Sequence, residues 1–346
     1  LFFAFLLYYD LYVLGDQVKK AKIIGTGSYV PAKVLTNADL EKIVDTNDEW
    51  IVTRTGMKER RIAADDEFTS DMGIQAAKAA VASAGIDITS VDCIIVATLT
   101  PDYIFPSTAS LIQQGLGLEE IPAVDMQAAC TGYIYALAQA KAYVESGMYQ
   151  NILVIASEKL SAVTDYEDRN TCVLFGDGAA ACVVSNAGAG YNIDAITLGC
   201  DGTQSELLYQ PAGGSRKPAS IATVEGREHY IKMNGKEVFK HAVRRMESAS
   251  VEALEKAGLD KTQVSWLVPH QANTRIIETL AKRFEIPMDR VFMTIHKYGN
   301  TSASAVGIAL DELEKTATPK VHDHILLTAF GAGLTWGAAV LTKGEA

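Results

Sequence analysis

"VDCIIVATLTPDYIFPSTASLIQQGLGL", residues 91–118, reads as a buried strand, a proline-containing loop and a helix. Its opening is apolar without alternation, the pattern of a strand covered on both faces. A second stretch, "VSWLVPHQANTRIIETLAKRFEI", residues 264–286, runs in the same order. Each follows an alanine-bearing helical segment that stops at a glycine. The first is "SDMGIQAAKAAVASAGI", with Ser70 as expected N-cap and Gly85 as stop; the second is "GKEVFKHAVRRMESASVEALEKAGL", ending at Gly258. The letters agree weakly and the pattern agrees well. A duplicated α/β chain made of two related halves is the expectation.

The segments around these two fit that frame. "AKIIGTGSYVP" reads as a strand and turn, and "NILVIASE" as another buried strand. "VLFGDGAAACVVS" reads as two short strands about a glycine turn, and "HILLTAFGAGLTWGAAVL" as strand, glycine turn and strand. "YQPAGGSRKPASIATVEGRE" is the most loop-like insertion, early in the second half. The first residues, "LFFAFLLYYDLYVLG", form an apolar run broken by Asp10 and too short to span a bilayer. They lack a basic leader region and a small-residue cleavage site, so residues 1–19 are set outside the fold.

With 346 residues, 48% hydrophobic and 21% charged, the chain can bury a large core. A net charge of −11 disfavours indiscriminate nucleic-acid binding. The five cysteines, at 93, 130, 172, 182 and 200, are odd in number and lack CxxC spacing. That argues against a disulfide framework or structural zinc and for a reducing compartment. His322 and His324 are the one close histidine pair, without metalloenzyme context. No metal or cofactor is expected.

One cysteine stands apart. In "DMQAACTGYIYALAQAKAYVESG", residues 125–147, Cys130 falls where a strand-like segment enters a helix apolar on most faces. Free N–H groups and the helix dipole at such a tip favour a thiolate, lowering the thiol pKa from about 8.5 toward neutrality. Ala128, Ala129, Thr131 and Gly132 leave room for a substrate. A buried structural cysteine is the plain alternative. Two more stretches bear on the choice: "WLVPHQANTR" puts His270 just after a buried strand, and "HKYGNTSASAVGIAL" puts Asn300 between Gly299 and Thr301. Together, Cys, His and Asn form a constellation suited to acyl transfer.

"AACTG", "PHQANTR", "YGNTSAS" and "FGAGLTWG", in that order, resemble the β-ketoacyl-acyl carrier protein synthase III family of the thiolase superfamily, over residues 20 to about 343. The resemblance implies a thiolase-like α/β fold: two pseudo-symmetric halves, residues 20–190 and 191–346, in a five-layer α-β-α-β-α sandwich, as a homodimer. It implies that Cys130 takes an acyl group from a short acyl-CoA. His270 and Asn300 then stabilise the enolate formed as malonyl-acyl carrier protein loses CO2. Neutral donors suit that charge, whereas carboxylates repel it. The acyl-transfer oxyanion falls to the backbone N–H groups of Cys130 and Ala332; Ala332 stands where the family often has a glycine.

The same resemblance places Thr46, Trp50, Arg54 and Arg169 at the CoA nucleotide, with adenine stacked on the Trp50 ring, and Met233, Gly235, Phe239 and Asn273 along the pantetheine tunnel. It gives Phe105 a role across the dimer interface, and Phe105, Phe175 and Phe330 a limit on primer length. Carrier-protein docking falls to Gln271, Ala272, Asn273, Thr274, Arg275, Lys240, Lys282 and Arg283, with Arg244 one turn from Lys240. Neither nucleic acid nor membrane is an expected partner. The expected compartment is the cytoplasm, or a plastid if residues 1–19 are a truncated transit sequence.

Other readings stay open on sequence alone. A papain-like hydrolase uses Cys, His and Asn in this order, but no CGSCW-type motif surrounds Cys130. Chalcone synthase-like, alkylquinolone-forming and hydroxymethylglutaryl-CoA synthase enzymes share the fold. The last needs an acid/base glutamate, for which Glu119 and Glu120 are the nearest candidates. A catalytically dead partner subunit is the third class, disfavoured by the intact trio.

Overall fold

The computed structural model of the chain describes residues 20–345; residues 1–19 lie outside the described part. Thirteen strands follow in chain order: β1 Lys22–Tyr29, β2 Lys33–Thr36, β3 Glu59–Ile62, β4 Cys93–Ala97, β5 Ala123–Met126, β6 Asn151–Glu158, β7 Gly178–Ser185, β8 Tyr191–Cys200, β9 Leu208–Tyr209, β10 Lys232–Met233, β11 Val264–Pro269, β12 His324–Gly331 and β13 Thr335–Lys343. Nine of them form one sheet in the order β11-β12-β13-β8-β1-β7-β6-β4-β5.

The sheet is two copies of one pattern. β1 runs antiparallel to β7, β7 antiparallel to β6, and β6 parallel to β4. From β8 the order repeats: antiparallel to β13, then to β12, which lies parallel to β11. β5 adds a parallel strand outside β4, and at the matching place Val291 makes an isolated parallel bridge to Leu267. The halves meet between β1 and β8 at two residue pairs, Lys22–Asn192 and Ile23–Tyr191.

Strand alternation sends side chains to both faces of the sheet, into a central core and two outer ones. Cys93, Ile95 and Ala97 of β4 point into the central core, which also takes Ile325, Leu327 and Ala329 of β12. Ile94 and Val96 point the other way, onto helix Thr69–Ala84. Leu326 and Phe330 pack with helices Gly235–Ala257 and Thr274–Phe284. Between the half-sheets run helices Gly132–Glu145 and Ser304–Thr316, whose residues Ile134, Leu137, Val306 and Leu310 are fully or almost fully buried. The five layers are therefore helix, half-sheet, central helix pair, half-sheet and helix. Truncating a central side chain such as Leu137 to Ala is a loss of about 2–5 kcal/mol by the usual cavity cost.

Small residues make the layers close. On β1, a β-carbon at Gly27 would fall 2.3 Å from the Ala80 backbone nitrogen, so the strand carries no side chain where the outer helix crosses. Two expectations fail in detail. Ser70 is not the N-cap: the cap of helix Thr69–Ala84 is Phe68, two residues earlier, and the Asp71 carboxylate accepts from the Phe68 N–H at 2.9 Å. Ser70 Oγ is already committed to Asp102 at 2.6 Å. "VLFGDGAAACVVS" yields one strand, β7, because residues 173–176 pair with the Asn300 loop: Asn300 N–H donates to the Leu174 carbonyl and Gly176 N–H to the Asn300 carbonyl. Among the described residues, no helix is long and apolar enough to cross a membrane.

Candidate active site

The chain passes from β5 to helix Gly132–Glu145 through a short 3-10 turn, Ala129–Thr131, that presents Cys130. Ala129 has a left-handed φ of 46°, a costly backbone state that persists only where the surroundings enforce it. The β12–β13 hairpin enforces it. The Thr335 hydroxyl lies 3.0 Å from the Ala128 and Ala332 carbonyls and 3.0 Å from the Thr131 hydroxyl. Gly331 presses so near that a β-carbon there would sit 2.7 Å from the Cys130 nitrogen.

The thiol does not behave as the helix tip alone suggests. Burial pushes Cys130 up to about 12; the Ser302 hydroxyl works against that rise and the Glu158 carboxylate adds to it. This runs against the expected lowering toward neutrality: at 7% exposure, loss of hydration disfavours the thiolate. The resting group is a neutral thiol. All five cysteines are free.

His270 and Asn300 come from the second half. His270 follows β11, its N–H donating to the Thr328 carbonyl at 2.8 Å. Burial brings its pKa down to about 4, so the imidazole is neutral at pH 7. Its Nδ1 is buried without a hydrogen-bond partner. Asn300 Oδ1 accepts from the Ser302 N–H at 2.9 Å. Because a backbone N–H needs an oxygen opposite it, the Asn300 amide keeps its NH2 group for the cavity.

Cys130, His270 and Asn300 line one cavity of about 700 Å³, together with Phe175 and Phe330. Its mouth holds Trp50, Arg54, Lys236 and Arg275, and its wall includes Met233, Gly235, Phe239 and Asn273. A second, more apolar cavity of about 1030 Å³ meets the first at Cys130, Phe175 and Leu208, and Ala332 lines it. The thiol stands where the two join. Among the described residues, no cluster of three His, Cys, Asp or Glu is placed to hold a metal.

At the mouth, the guanidinium groups of Arg54 and Arg169 lie 4.8 and 5.1 Å from the Trp50 ring centroid. Arg169 also donates to the Asp45 carbonyl at 2.8 Å. Neither Thr46 nor Arg169 lines the cavity itself; Arg169 reaches the site only through Trp50, and the Thr46 hydroxyl is buried without a partner. Asn273 caps helix Thr274–Phe284 and donates to the Arg54 carbonyl at 2.9 Å, joining the two sides of the mouth. Phe105 is 85% exposed and lines neither cavity of its own chain.

The expected docking face needs one correction. Gln271 is buried, its amide donating to the Pro269 carbonyl and accepting from the N–H groups of Thr294 and Ile295. It braces the His270 loop and offers nothing to a partner. Ala272 and Thr274 are half-buried, whereas Arg275, Lys240, Arg244, Lys282 and Arg283 are exposed. Lys240 pairs with Glu237 and Arg283 with Glu247. Glu119 and Glu120 are exposed and away from the cavities, so neither serves as an acid/base group beside Cys130. Sequence reasoning missed Glu158 and Ser302. The available signals were a carboxylate ending the otherwise buried run "NILVIASE" and a hydroxyl two residues after Asn300.

Comparison with known proteins points one way. Residues 124–202 match the family model described as 3-oxoacyl-[acyl-carrier-protein (ACP)] synthase III, and residues 254–343 match that of its C-terminal part. The chain is 60% identical over 329 residues to a beta-ketoacyl-[acyl-carrier-protein] synthase III from Chlamydia pneumoniae, covering 95% of this chain and 98% of that one. Among solved structures, 3-oxoacyl-[acyl-carrier-protein] synthase III from Aquifex aeolicus VF5 superposes with a TM-score of 0.86 at 51% identity, covering 93% of this chain and 99% of that chain. The corresponding protein from Thermus thermophilus gives 0.87 at 46% identity, covering 94% of this chain and all of that one.

Proposed function

Because this chain belongs to the β-ketoacyl-[acyl-carrier-protein] synthase III family, condensing acyltransferases that initiate fatty acid synthesis, we propose that Cys130 is its nucleophile and that His270 and Asn300 are its enolate-stabilising donors. Family membership sets aside the hydrolase reading. The observation that carries the assignment is the position of Cys130 at the junction of two cavities, with a neutral imidazole and an oriented amide in the same wall.

The primer in this proposal is a short acyl-CoA, acetyl-CoA first. Its nucleotide rests at Trp50, Arg54 and Arg169, where guanidinium groups meet the phosphates. Its pantetheine runs past Met233, Gly235, Phe239 and Asn273 to the sulfur. The Cys130 sulfur attacks the thioester carbonyl, and the oxyanion is held by the N–H groups of Cys130 and Ala332. CoA leaves, and malonyl-acyl carrier protein enters by the same corridor. As CO2 departs, charge gathers on the malonyl thioester oxygen. His270 and Asn300 donate there, each lowering the barrier by about 3–4 kcal/mol by analogy with other oxyanion donors. The carbanion then attacks the acyl-cysteine and releases a β-ketoacyl-acyl carrier protein.

Arg275 and Lys240, with Lys282, Arg283 and Arg244 nearby, form the carrier-protein docking face on an otherwise acidic chain. A homodimer belongs to the same proposal: Tyr103, Ile104 and Phe105 are strongly exposed, and Tyr103 and Ile104 rim the apolar cavity. In this proposal Phe105 closes the partner's acyl chamber and Phe175 stands in its wall, whereas Phe330 lines the corridor side of Cys130. The division into residues 20–190 and 191–346 and a cytoplasmic location complete the proposal.

Intact-mass analysis after mixing with acetyl-CoA tests the nucleophile. An acyl adduct should appear on the native chain and be absent from Cys130→Ala; an adduct that survives in Cys130→Ala refutes it.

A further inference from the structure

We propose that Glu158 is a positioning residue for Cys130, sharing one proton with it through the Ser302 hydroxyl. This rests on the reading of Cys130 as the nucleophile and answers a question that reading leaves open, namely where the thiol proton goes.

Glu158 ends β6 and is fully buried. Four contacts converge on one oxygen, Oε2: the Thr98 hydroxyl at 3.2 Å, the Leu99 N–H at 3.1 Å, the Thr100 N–H at 3.2 Å and the Thr100 hydroxyl at 2.7 Å. Holding the loop after β4 explains that oxygen. It leaves Oε1 unexplained, since Oε1 is buried with no partner. The Ser302 hydroxyl is also buried and unpartnered, although Ser302 lines the apolar cavity beside Cys130. Ser302 is held there at a left-handed φ of 52°. Its hydroxyl bears on both acids, opposing the rise of Cys130 and that of Glu158. Ser302 and Cys130 line the same cavity, the Ser302 hydroxyl and Glu158 Oε1 are both buried without a partner, and rotation about the Ser302 Cα–Cβ bond re-aims its one hydroxyl. Two buried, unsatisfied polar atoms call for an explanation.

Few other charges face the pair. The loop after β4 gives Glu158 uncharged donors, while its Asp102 carboxylate, which also lines the apolar cavity, is bound to the Ser70 N–H and hydroxyl and to the Thr108 hydroxyl; the start of helix Ser304–Thr316 presents the Ala303 N–H, which also favours the Glu158 carboxylate. From β11 comes His270, neutral. Asp177, next to the β7 residue paired with Glu158, is bound to the Ala63 N–H and to Ser161. The Lys159 ammonium is turned onto the Ala64 and Glu67 carbonyls at 2.8 and 2.7 Å. Burial raises the Glu158 pKa, which brings the carboxylate's proton affinity closer to that of the thiolate.

The step balances within the chain. The Cys130 S–H proton passes to Ser302 Oγ while the Ser302 hydroxyl proton passes to Glu158 Oε1. The electron pair left on sulfur forms the bond to the acyl carbon. When the C–S bond to CoA breaks, the departing sulfur keeps that pair and takes the proton back from Glu158 through Ser302. One negative charge moves from carboxylate to sulfur and returns.

Two acids sharing one proton give a reactive-thiolate population that does not change with pH between their two macroscopic titrations. Measured as Cys130 alkylation by iodoacetamide and acylation by acetyl-CoA between about pH 6 and 8, the native rate should vary less than about threefold. In Glu158→Gln the thiol titrates alone, and its rate should climb about tenfold per pH unit, about a hundredfold over the window. Ser302→Ala should show the same slope and decides the matter if Glu158→Gln does not fold. A native rate that already climbs tenfold per unit, or a flat profile in a folded variant, overturns the proposal. Failure to find any adduct dependent on Cys130 overturns the nucleophile assignment instead.

Discussion

The two halves of the chain share a backbone plan and differ at each matching point that bears on chemistry. β4 and β11 are counterparts, and the residue after each is Thr98 in the first half and His270 in the second. Thr98 spends its hydroxyl on Glu158, whereas the His270 ring faces the cavity without a hydrogen-bond partner. β6 and β12 both have eight residues and end, by their pairing, at corresponding positions. The first ends in Glu158 and the second in Gly331. One supplies a buried carboxyl; the other supplies no side chain, so that a hairpin can press against Cys130. The central helices both follow a residue of left-handed φ, Ala129 or Ser302. Duplication built the frame, and the breaking of its symmetry made one site from two ends.

The sharpest way to test this contrast is at the second-half donors. His270→Ala and Asn300→Ala should each reduce condensation with malonyl-acyl carrier protein by about 10²–10³-fold while the acyl adduct still forms. Loss of the adduct in both would mean that the donors serve the first step too, contrary to the division proposed. Gly331→Ala tests the glycine at the place where the first half has Glu158. The added β-carbon must displace either the hairpin or the nucleophile turn, a strain of about 1–3 kcal/mol by analogy with overpacked cores. Acylation rate should fall accordingly, and an unchanged rate would show that the close approach is dispensable.

His270 also gives a stability signature that Thr98 lacks. Its folded pKa, about 4, lies below the ordinary value, so between pH 4 and 6.5 the unfolded chain binds more protons than the native one. Stability should therefore fall as pH drops through that window, by up to about 1.4 kcal/mol per unit. Urea midpoints at pH 7 and pH 5 would show this, with a smaller drop in His270→Asn. The smallest effect concerns the insertions outside the duplicated plan. Trp50→Ala should raise the KM for acyl-CoA about three- to tenfold with kcat retained, the scale of a partly exposed cation–π contact.

Much of the frame was legible in the sequence because it rests on local rules. The continuous apolar runs of β4 and β6 and the glycine stops at 85 and 258 follow from burial and from left-handed helix ends. What escaped was set by contacts distant in sequence. Ser70 looks like a cap until Asp102 claims its hydroxyl. Residues 173–176 look like a strand until they pair with the Asn300 loop. Cys130 looks like a thiolate until its burial is known. Gln271 sits in a motif that invites a surface role, and only the fold shows its amide braced against residues 294 and 295. Glu158 left one faint signal, a carboxylate closing a buried strand, with no spacing to tie it to Cys130.

The cysteine at the threshold between two chambers has a further consequence for selection. In the proposed mechanism, a loaded chain that fits the apolar cavity clears the corridor for the second thioester. One too long for it must double back into that corridor and bar the next arrival. Primers would then be sized at the queue for the second substrate, after loading has succeeded, and an oversized acyl group would idle the enzyme as a dead-end adduct.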